Sequence, residues 1–323
     1  MDILSDIRQP ITSELEQYRS LFERTLTHAD TLLGSVLEHI RSRRGKMMRP
    51  ILVLLVAKAQ GGVNESALRA AVTLELLHTA SLVHDDVVDE SNERRGQQSV
   101  NAGYGNKVAV LVGDYLLSEA LLQAALSGCP AMVEIIARLG RTLSEGELFQ
   151  LSHIREGGVS EADYFRIIRQ KTAALFAACA QLGALAANAP ADVQERARRL
   201  GETVGICFQI RDDIFDYYDQ NVGKPTGADM LEGKLTLPAI YALQAHGGEA
   251  ELELARRVRS GEASTADVSR LVAFSKAHGG MDYACRVMDG YLQQGLQLAD
   301  GLADGPVRQS LRRYLEFVVQ RDI

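Results

Sequence analysis

The chain of 323 residues is poor in the residue types on which several specialised folds depend: it has no tryptophan, seven prolines and four cysteines. The cysteines are widely scattered, so their spacing gives neither a CxxC pair nor a metal quartet and favours free thiols in a reducing cytoplasm. Positive charge is too scarce for a nucleic-acid binder, because the net charge is −7. An uninterrupted membrane-length apolar run and the apolar core of a signal peptide are both missing. We therefore expect a soluble, cytoplasmic protein without stable membrane insertion.

Helical periodicity is what the chain has in abundance, together with a hydrophobic fraction of 46%. Strand alternation is hard to find, and several prolines lie where a helix would begin or end. The segments 64–85, 131–153, 161–187 and 191–216 are each predicted to be helical. The glycine-bearing breaks are short and do not separate regions of different composition. We therefore predict an all-α fold in a single domain over residues 1–323, with about ten or more helices.

Two acidic clusters with the same D-D-x-x-D spacing stand out. The first acidic cluster comprises Asp85, Asp86 and Asp89, and the second acidic cluster comprises Asp212, Asp213 and Asp216. Each lies at the C-terminal end of an apolar helix, where the helix dipole disfavours negative charge, so a cation is expected to neutralise it. Residues four apart share a helix face, so the outer aspartates of each cluster project together and the middle one lies to one side. A solvated helix end could explain one cluster, but two matched clusters favour Mg²⁺ ions that hold a diphosphate.

Basic residues flank both clusters. They are Lys46 and Arg49 in RRGKMMRP, Arg94 and Arg95 after the first acidic cluster, and Lys224 and Lys234 after the second. Any one of them could be ordinary surface charge. Lysine and arginine both bind phosphate, however, and together these side chains would serve a site for two anionic substrates.

A series of motifs between residues 45 and 238 is more specific than either cluster alone. The motifs are GKMMRP, LLHTASLVHDDVVDESNERRG, GNKVAVLVGDYLLSEA, the pair Lys171-Thr172, and FQIRDDIFDYYDQNVGKPTGADMLEGKLTLP. This series resembles the trans-isoprenyl (polyprenyl) diphosphate synthase family, and within it the bacterial long-chain, octaprenyl-type enzymes. The resemblance implies a single-domain isoprenoid synthase fold of the class I terpenoid synthase type, an all-α bundle around a central cavity. The C-terminal third matches only loosely, mainly through FVVQR.

The resemblance also implies roles for individual residues. The six aspartates would bind Mg²⁺, with about three ions per active site. The residues expected to contact the allylic diphosphate are Arg94, Lys171, Lys224 and Lys234. The isopentenyl diphosphate pocket carries over to Gly45, Lys46, Arg49, His78 and Arg95. The implied catalytic set is Lys171, Thr172 and Gln209, of which Thr172 and Gln209 face the developing carbocation. The thinnest match is Arg321, to a basic residue that closes over the second substrate.

One departure from the family's G-G-K-R-x-R-P pattern is visible. Arg44 replaces the first glycine and Met47 replaces the first arginine, whereas Lys46 and Arg49 keep their three-residue spacing. The departure puts a side role of position 47 in doubt and leaves the predicted pocket in place.

The implied reaction is an Mg²⁺-dependent chain elongation. An allylic diphosphate, such as farnesyl diphosphate, ionises, isopentenyl diphosphate attacks the cation, and a proton is lost to the released diphosphate. Ala80 and Ser81 are small and would leave the tunnel for the growing chain open, with a floor at Met132 or Ile136. The resemblance then favours an all-trans octaprenyl product for quinone side chains, with heptaprenyl and nonaprenyl close behind, and a homodimeric enzyme.

Three other functions share parts of this pattern. A class I terpene cyclase would usually carry an asparagine/serine/glutamate metal motif in place of the second acidic cluster, and would lack Lys46, Arg49 and Arg95. A non-catalytic regulatory partner subunit commonly loses aspartates, whereas all six are present here. A geranylgeranyl diphosphate synthase runs the same reaction with a shorter tunnel, and it is the most serious alternative.

Overall fold

The computed structural model describes residues 3–42, 45–94, 96–156, 160–218 and 226–320, and for residues 153–156 it describes the backbone alone. These segments are almost entirely helical, which confirms the predicted all-α fold. In chain order the helices are α1 (Ile3–Arg8), α2 (Thr12–Thr25), α3 (Thr31–Ser42), α4 (Met48–Ala59), α5 (Glu65–Val88), α6 (Val100–Tyr104), α7 (Asn106–Leu126), α8 (Pro130–Glu156), α9 (Glu161–Ile168), α10 (Ala174–Ala186), α11 (Ala191–Phe215), α12 (Ala228–Leu231), α13 (Leu237–His246), α14 (Glu249–Arg259), α15 (Thr265–Ala277), α16 (Gly280–Asp300) and α17 (Gly305–Gln320). A short antiparallel ribbon of β1 (Glu93–Arg94) and β2 (Gln97–Gln98) follows α5.

The contacts within the chain divide it into two compact units. The first unit comprises Met1–Gly140, Leu175–Gly201 and Leu298–Tyr314, and the second unit comprises Arg141–Ala174, Glu202–Gln297 and Leu315–Ile323. A single domain over the whole chain stays a prediction.

The centre of the first unit is formed by α4 and by the apolar part of α5, because their apolar side chains lie on almost every side of the helix. The side chains at positions 51 to 57 of α4 are all fully buried. The N-cap of α5 is Asn64, whose side chain accepts a hydrogen bond from the amide of Ala67, and Leu74 and Leu76 of α5 are fully buried. Each such side chain contributes about 1.5–3 kcal/mol of burial free energy. The first acidic cluster therefore lies at the end of a largely buried helix.

The second unit uses the C-terminal half of α11 in the same way. Ile206, Ile210 and Ile214 of this helix are almost completely buried. The helix ends at Phe215, directly before Asp216, and Tyr217 is fully buried. The second acidic cluster is thus also carried by the end of a buried helix.

One predicted helix, 161–187, is interrupted in the structure. After α9 a π turn, Arg169–Ala173, leads into α10. The other three long predictions correspond closely to α5, α8 and α11. A hydrophobic repeat does not reveal a π turn, because one i→i+5 turn disturbs the 3.6-residue period only locally.

One helix within the described segments, α7, is long and apolar enough to cross a membrane by length and composition. Of the window that meets this test, 39% is buried inside the protein. A single helix of this kind is weak evidence, since core helices of soluble proteins pass the same test. The helix also carries Lys107, Asp114 and Glu119.

Candidate active site

The first acidic cluster presents two aspartates outward and one inward. Asp86 is only 1% exposed, whereas Asp85 is half-buried and Asp89 is exposed. Oδ1 of Asp86 accepts a hydrogen bond from Nε of Arg94 at 2.5 Å. The middle aspartate thus lies to one side, as the spacing indicated. Asp85 and Asp89 are the two aspartates that share a helix face.

The β1–β2 ribbon holds Arg94 in this position. Its turn passes through Gly96, whose φ of 74° lies in the left-handed region that favours glycine. Nδ2 of Asn101 donates to the main-chain oxygens of Asp86 and Ser91, at 3.0 and 3.1 Å, and so ties the end of α5 to α6. Oδ2 of Asp86 is buried and makes no hydrogen bond, so this carboxylate keeps acceptor capacity for a further cation.

The loop before α4 carries two of the predicted isopentenyl diphosphate residues, Gly45 and Lys46, and both are exposed. The loop is anchored through its main chain. Nη2 of Arg8 donates to the carbonyl of Lys46 at 2.9 Å, and the buried hydroxyl of Tyr314 donates to the carbonyl of Met48 at 2.8 Å. These two hydrogen bonds fix the backbone at Lys46 and Met48, and so they limit where the side chain of Lys46 can lie.

Arg49, in the first turn of α4, is oriented by an aromatic ring. Its guanidinium carbon lies 5.1 Å from the ring centroid of Phe176, and its Nε is buried without a hydrogen bond. A guanidinium held by a ring face retains donors for an anion. His78 lies half-buried on α5. Met47, the residue at which the chain departs from the family pattern, has a φ of 55°, which side chains rarely adopt.

The second acidic cluster repeats the inward placement of its middle member. Asp213 is 2% exposed, and Asp212 and Asp216 are half-buried. The hydroxyl of Tyr164 donates to Oδ2 of Asp213 at 2.6 Å, and Nε2 of Gln209 donates to Oδ1 at 2.8 Å. Both oxygens of this buried carboxylate therefore have a partner within the protein.

Asp216 fixes the segment that follows the cluster. Its Oδ1 accepts from the amide of Ala228 at 2.9 Å and its Oδ2 from the amide of Asp229 at 3.3 Å. Its main-chain oxygen accepts from the amide of Gly227 at 2.8 Å. These hydrogen bonds bring Asp229, which the sequence interpretation did not single out, next to the second acidic cluster.

The π turn carries Lys171 and Thr172. Nζ of Lys171 lies 2.7 Å from Oε2 of Glu147 on α8. The hydroxyl of Thr172 donates to Oε1 of Gln209 at 2.7 Å. A π turn places successive side chains differently from an α-helix, and such turns occur frequently at functional sites.

Two glycines allow neighbouring helices to approach this turn. A Cβ at Gly205 of α11 would lie 2.4 Å from Cα of Ala173, and a Cβ at Gly146 of α8 would lie 2.7 Å from Cβ of Gln170. Side chains at these positions would displace the turn. The two glycines are therefore required by close packing against the backbone that positions Lys171 and Thr172.

A cavity of about 140 Å³ in the second unit brings these groups together. We call it the second-unit cavity. Its polar lining consists of Gln150, Tyr164, Lys171, Thr172, Gln209, Asp213, Asp229, Lys234 and Thr236, and its other lining residues are Ile167, Ile168, Gly233 and Leu235. Nζ of Lys234 lies 2.5 Å from Oε2 of Glu232. The cavity thus combines two cations, two carboxylates and neutral oxygens with an apolar wall.

Burial raises the pKa of the Asp213 carboxyl well above its ordinary value, and the negative charge of Asp229 raises it further. The hydrogen bonds from Tyr164 and Gln209 act in the opposite direction, because they stabilise the ionised form. Burial, followed by the charge of Asp213, also raises the pKa of the Tyr164 hydroxyl well above its ordinary value. Tyr164 is therefore a proton donor at neutral pH, and a cation beside Asp213 would be strongly favoured.

The donor set fits a hard divalent cation without forming a complete cage. Among the described residues, no three His, Cys, Asp or Glu side chains converge closely enough to hold a metal ion. Mg²⁺ typically takes one or two carboxylates and completes its shell with water and phosphate oxygens. The outward pair Asp85 and Asp89 and the half-buried Asp212 offer such ligands. The residues present therefore fit Mg²⁺ and do not form a zinc site.

The remaining predicted residues have mixed outcomes. Ala80, Met132 and Ile136, proposed for the chain-length tunnel, are buried, and Ser81 is half-buried with its hydroxyl donating to the carbonyl of His78 at 2.9 Å. A tunnel wall and an ordinary core are both buried, so their role stays a prediction. The binding residues Arg95, Lys224 and Arg321 lie outside the described residues.

Three side chains of the second unit were missed by sequence reasoning: Glu147, Tyr164 and Asp229. Tyr164 lies seven positions before Lys171 (171 − 164), a spacing that puts residues on one helix face and could have drawn attention to it. Asp229 lies inside the motif that contains the second acidic cluster. Glu147 had no local signal, because only tertiary packing brings α8 to the π turn.

Comparison with known proteins agrees with this geometry. The polyprenyl synthetase family model matches residues 30–274 of the chain. Heptaprenyl diphosphate synthase component 2 of Geobacillus stearothermophilus is 34% identical over 314 residues, which cover 97% of this chain and 97% of that protein. Octaprenyl diphosphate synthase of Haemophilus influenzae is 33% identical over 282 residues, which cover 87% of this chain and 85% of that protein.

A solved structure, that of geranylgeranyl pyrophosphate synthase from Bacteroides thetaiotaomicron, is 48% identical to the chain. The match covers 99% of this chain and 100% of that one, with a TM-score of 0.88. The similarities extend over almost the whole chain and confirm the family expected from the motifs. The chain therefore belongs to the polyprenyl synthetase family, whose members are prenyl transferases.

Proposed function

We propose that the protein is an Mg²⁺-dependent prenyltransferase that condenses an allylic diphosphate, farnesyl diphosphate in the first instance, with successive molecules of isopentenyl diphosphate. The product is an all-trans polyprenyl diphosphate. The observation that carries the proposal is the second-unit cavity, where Lys171 and Lys234 lie with Thr172 and Gln209 around one space. Such a space offers cations to a leaving diphosphate and oxygens to the positive charge that develops on carbon.

Cationic side chains bind and orient the allylic diphosphate in this proposal. Lys171 and Lys234 are held in place by Glu147 and Glu232, and Arg94 of the first unit is held by Asp86. These cations stabilise the charge that the departing diphosphate acquires. Mg²⁺ bound at the six aspartates, about three ions in the family pattern, would supply Lewis-acid stabilisation of the same leaving group.

Ionisation leaves an allylic cation that the protein must protect from water. Thr172 and Gln209 present oxygen atoms to the second-unit cavity, while Ile167, Ile168 and Leu235 provide its apolar wall. An apolar wall excludes water, which strengthens every electrostatic interaction inside and prevents hydrolysis of the cation.

The second substrate is assigned to residues of the first unit. Lys46 and Arg49 supply two cations near the start of α4, and His78 of α5 supplies a polar side chain. The ring of Phe176 beneath Arg49 keeps the guanidinium from turning away from an anion. With its diphosphate held there, isopentenyl diphosphate attacks the allylic cation, and the released diphosphate takes the proton.

The side chains just before the first acidic cluster bear on the length of the product. Ala80 and Ser81 are small side chains just before the first acidic cluster, which supports an open tunnel and a long product. We propose octaprenyl diphosphate, within a range from heptaprenyl to nonaprenyl, for quinone side chains. A shorter geranylgeranyl product is the alternative, and it is favoured by the name of the solved structure that is 48% identical.

We also propose that the enzyme is a homodimer, and the observation behind this is the surface of α7. Five large apolar side chains on this helix are exposed: Val110, Leu111, Leu121, Leu122 and Leu126. Positions 111 and 122 are three helical turns apart, so they share a face. An exposed apolar face of this kind is typical of a protein–protein contact and supports the proposal. Light scattering coupled to size exclusion should give twice the chain mass, and a monomer at micromolar concentration would contradict the proposal.

The reaction is tested with matched aspartate variants. Asp85→Asn and Asp212→Asn should each lower elongation by about a hundredfold or more, because each removes a ligand charge for Mg²⁺. Asp282→Asn, at an exposed aspartate of α16, is the control and should keep wild-type activity. Circular dichroism establishes that all three proteins are folded. If either cluster variant turned over at the wild-type rate, the proposed function would be wrong.

A further inference from the structure

Four side chains of the second unit form one directed chain of hydrogen bonds that ends on Asp213. The hydroxyl of Tyr164 donates to Oδ2 of Asp213 at 2.6 Å, and Nε2 of Gln209 donates to Oδ1 at 2.8 Å. The hydroxyl of Thr172 donates in turn to Oε1 of Gln209 at 2.7 Å. Tyr164 and Asp213 are 4% and 2% exposed, so water does not compete for these partners.

The direction of the chain follows from the chemistry of its end point. Both groups that face Asp213 donate to it, Tyr164 through its hydroxyl and Gln209 through its NH₂ group, and these are the directions that a carboxylate beside a bound cation requires. Gln209 therefore turns its NH₂ group towards Asp213 and its Oε1 away. That oxygen takes the hydroxyl proton of Thr172. With its proton engaged, Thr172 shows only oxygen lone pairs to the cavity that it lines.

This orientation matters for the charge that the cavity is to hold. Oxygen lone pairs stabilise a positive charge beside them, whereas a hydroxyl proton that pointed into the cavity would oppose it. The orientation depends on Asp213 keeping one rotamer. Without the Tyr164 hydroxyl, Oδ2 of Asp213 would be buried without that donor, and a carboxylate that turned to find another would release Gln209.

We propose that Tyr164 is a positioning residue for the reaction. It locks Asp213, and through Asp213 it orients Gln209 and Thr172, so that the cavity presents oxygen lone pairs to the allylic cation. This inference rests on the proposed function and deepens it. It gives Asp213 a role as the acceptor at which the series of hydrogen bonds from Tyr164, Gln209 and Thr172 ends. Tyr164 also lines the cavity, but its hydroxyl is engaged with Asp213, so its role is assigned through that hydrogen bond.

The protein offers a control at Tyr283, a half-buried tyrosine that also donates to a carboxylate. Its hydroxyl donates to Oε1 and Oε2 of Glu161, at 2.8 and 2.9 Å, and Glu161 is the first residue of the helix α9 that carries Tyr164. Tyr164→Phe and Tyr283→Phe each remove one tyrosine hydroxyl from a hydrogen bond between α9 and a neighbouring element. Only the first of them removes a donor to Asp213.

The test measures the single-turnover rate of farnesyl diphosphate with isopentenyl diphosphate at saturating Mg²⁺. Tyr164→Phe should lower this rate about tenfold or more, since misplaced groups weaken the transition state, and should change KM for isopentenyl diphosphate by less than about twofold. Tyr283→Phe should react at the wild-type rate. A Tyr164→Phe rate within about twofold of wild type, or an equal loss in Tyr283→Phe, would overturn the inference. If the wild-type protein itself formed no elongated product, the proposed function would fail with it.

A double-variant cycle separates positioning from a structural role. Thr172→Val removes the hydroxyl that these hydrogen bonds orient, so Tyr164→Phe should cause a several-fold smaller loss of rate on that background, where only Gln209 remains to be oriented. Losses that multiply in the double variant would overturn the inference. If Tyr164→Phe does not fold, Asp213→Asn provides a second way into the same chain, because its amide can face Gln209 and turn that side chain round. Because Asp213 is also a proposed Mg²⁺ ligand, part of its loss will persist, but the loss caused by Asp213→Asn should be about tenfold smaller, about 1.4 kcal/mol, on the Thr172→Val background than on the wild-type background. Equal losses on the two backgrounds would overturn the inference.

Discussion

Nε of Arg94 lies 2.5 Å from Oδ1 of Asp86, an aspartate that is only 1% exposed at the end of α5. The three aspartates of the first acidic cluster therefore have different surroundings although they belong to one motif. Asp86 is the charge that binds the β1–β2 ribbon to α5. Asp85 is half-buried and Asp89 is exposed, and our proposal assigns both to Mg²⁺ binding.

Removal of the partner of Asp86 is expected to destabilise the protein. Arg94→Met would leave a buried carboxylate without its cation, which should lower the free energy of unfolding by about 3 kcal/mol. Arg138→Met removes the same side chain from an exposed pair with Glu134, and it should change that free energy by less than about 1 kcal/mol. Urea unfolding in EDTA measures both. Equal effects of the two substitutions would contradict the assignment of Asp86 as a buried structural charge.

Glu147 is expected to compete with diphosphate for Lys171. Its carboxylate lies 2.7 Å from Nζ, so Glu147→Gln should free the cation and tighten the binding of inorganic diphosphate about twofold to fivefold, the range for a partly exposed ion pair. The matched control is Glu134→Gln, which breaks the pair with Arg138 on the same helix. Titration calorimetry with Mg²⁺ present compares the dissociation constants. Unchanged or weaker binding in Glu147→Gln would show that Glu147 is not the competing anion.

Asp213 is expected to make stability depend on pH in the sense opposite to most carboxylates. Burial and the charge of Asp229 raise its pKa above the ordinary value of 3.8, so the folded protein binds this proton more tightly than the unfolded chain does. Its contribution to the free energy of unfolding is therefore fully present below about pH 4 and is lost as the pH rises through the folded pKa.

Asp213→Asn should remove that dependence. In EDTA, the free energy of unfolding of the wild type should fall relative to that of the variant as the pH rises above about 4. Asp282→Asn, at an exposed position, should run parallel to the wild type over the same range. A difference between wild type and Asp213→Asn that is constant with pH, or that has the opposite sign, would contradict the expected shift.

Product length is expected to respond to the size of residue 81. Ser81→Phe would place a ring four positions before Asp85, on the same face of α5, and should shorten the product by several isoprene units if this face borders the tunnel. Thr79→Phe adds the same ring elsewhere on the helix and should leave product length unchanged. Chromatography of the dephosphorylated products measures both. Full-length product from Ser81→Phe would show that the tunnel lies elsewhere.

The fold was predictable from local patterns to a large extent, because its helices are long and buried. Their apolar periodicity and an N-cap such as Asn64 fix α5 to within a few residues. The π turn was not predictable in the same way. It depends on close approach by Gly146 and Gly205 of other helices, and that approach is a property of packing.

In the candidate site, too, some features followed from local spacing and others depended on tertiary packing. Spacing alone indicated that Asp86 and Asp213 lie apart from their neighbours, since i and i+4 share a face and i+1 does not. The partners that hold these two carboxylates, Arg94 and Tyr164, could not be assigned from spacing alone. Glu147 could be recognised only from its contact with Lys171 in the structure, because the two residues belong to different helical elements and no sequence spacing connects them.

The measurement that tests the central claim most directly is a product assay on the purified protein. The protein is incubated with Mg²⁺, farnesyl diphosphate and labelled isopentenyl diphosphate, and the dephosphorylated products are sized by chromatography. We expect a product in the heptaprenyl to nonaprenyl range that disappears when EDTA is added. The absence of any elongated product from the folded protein in the presence of Mg²⁺ would contradict the account.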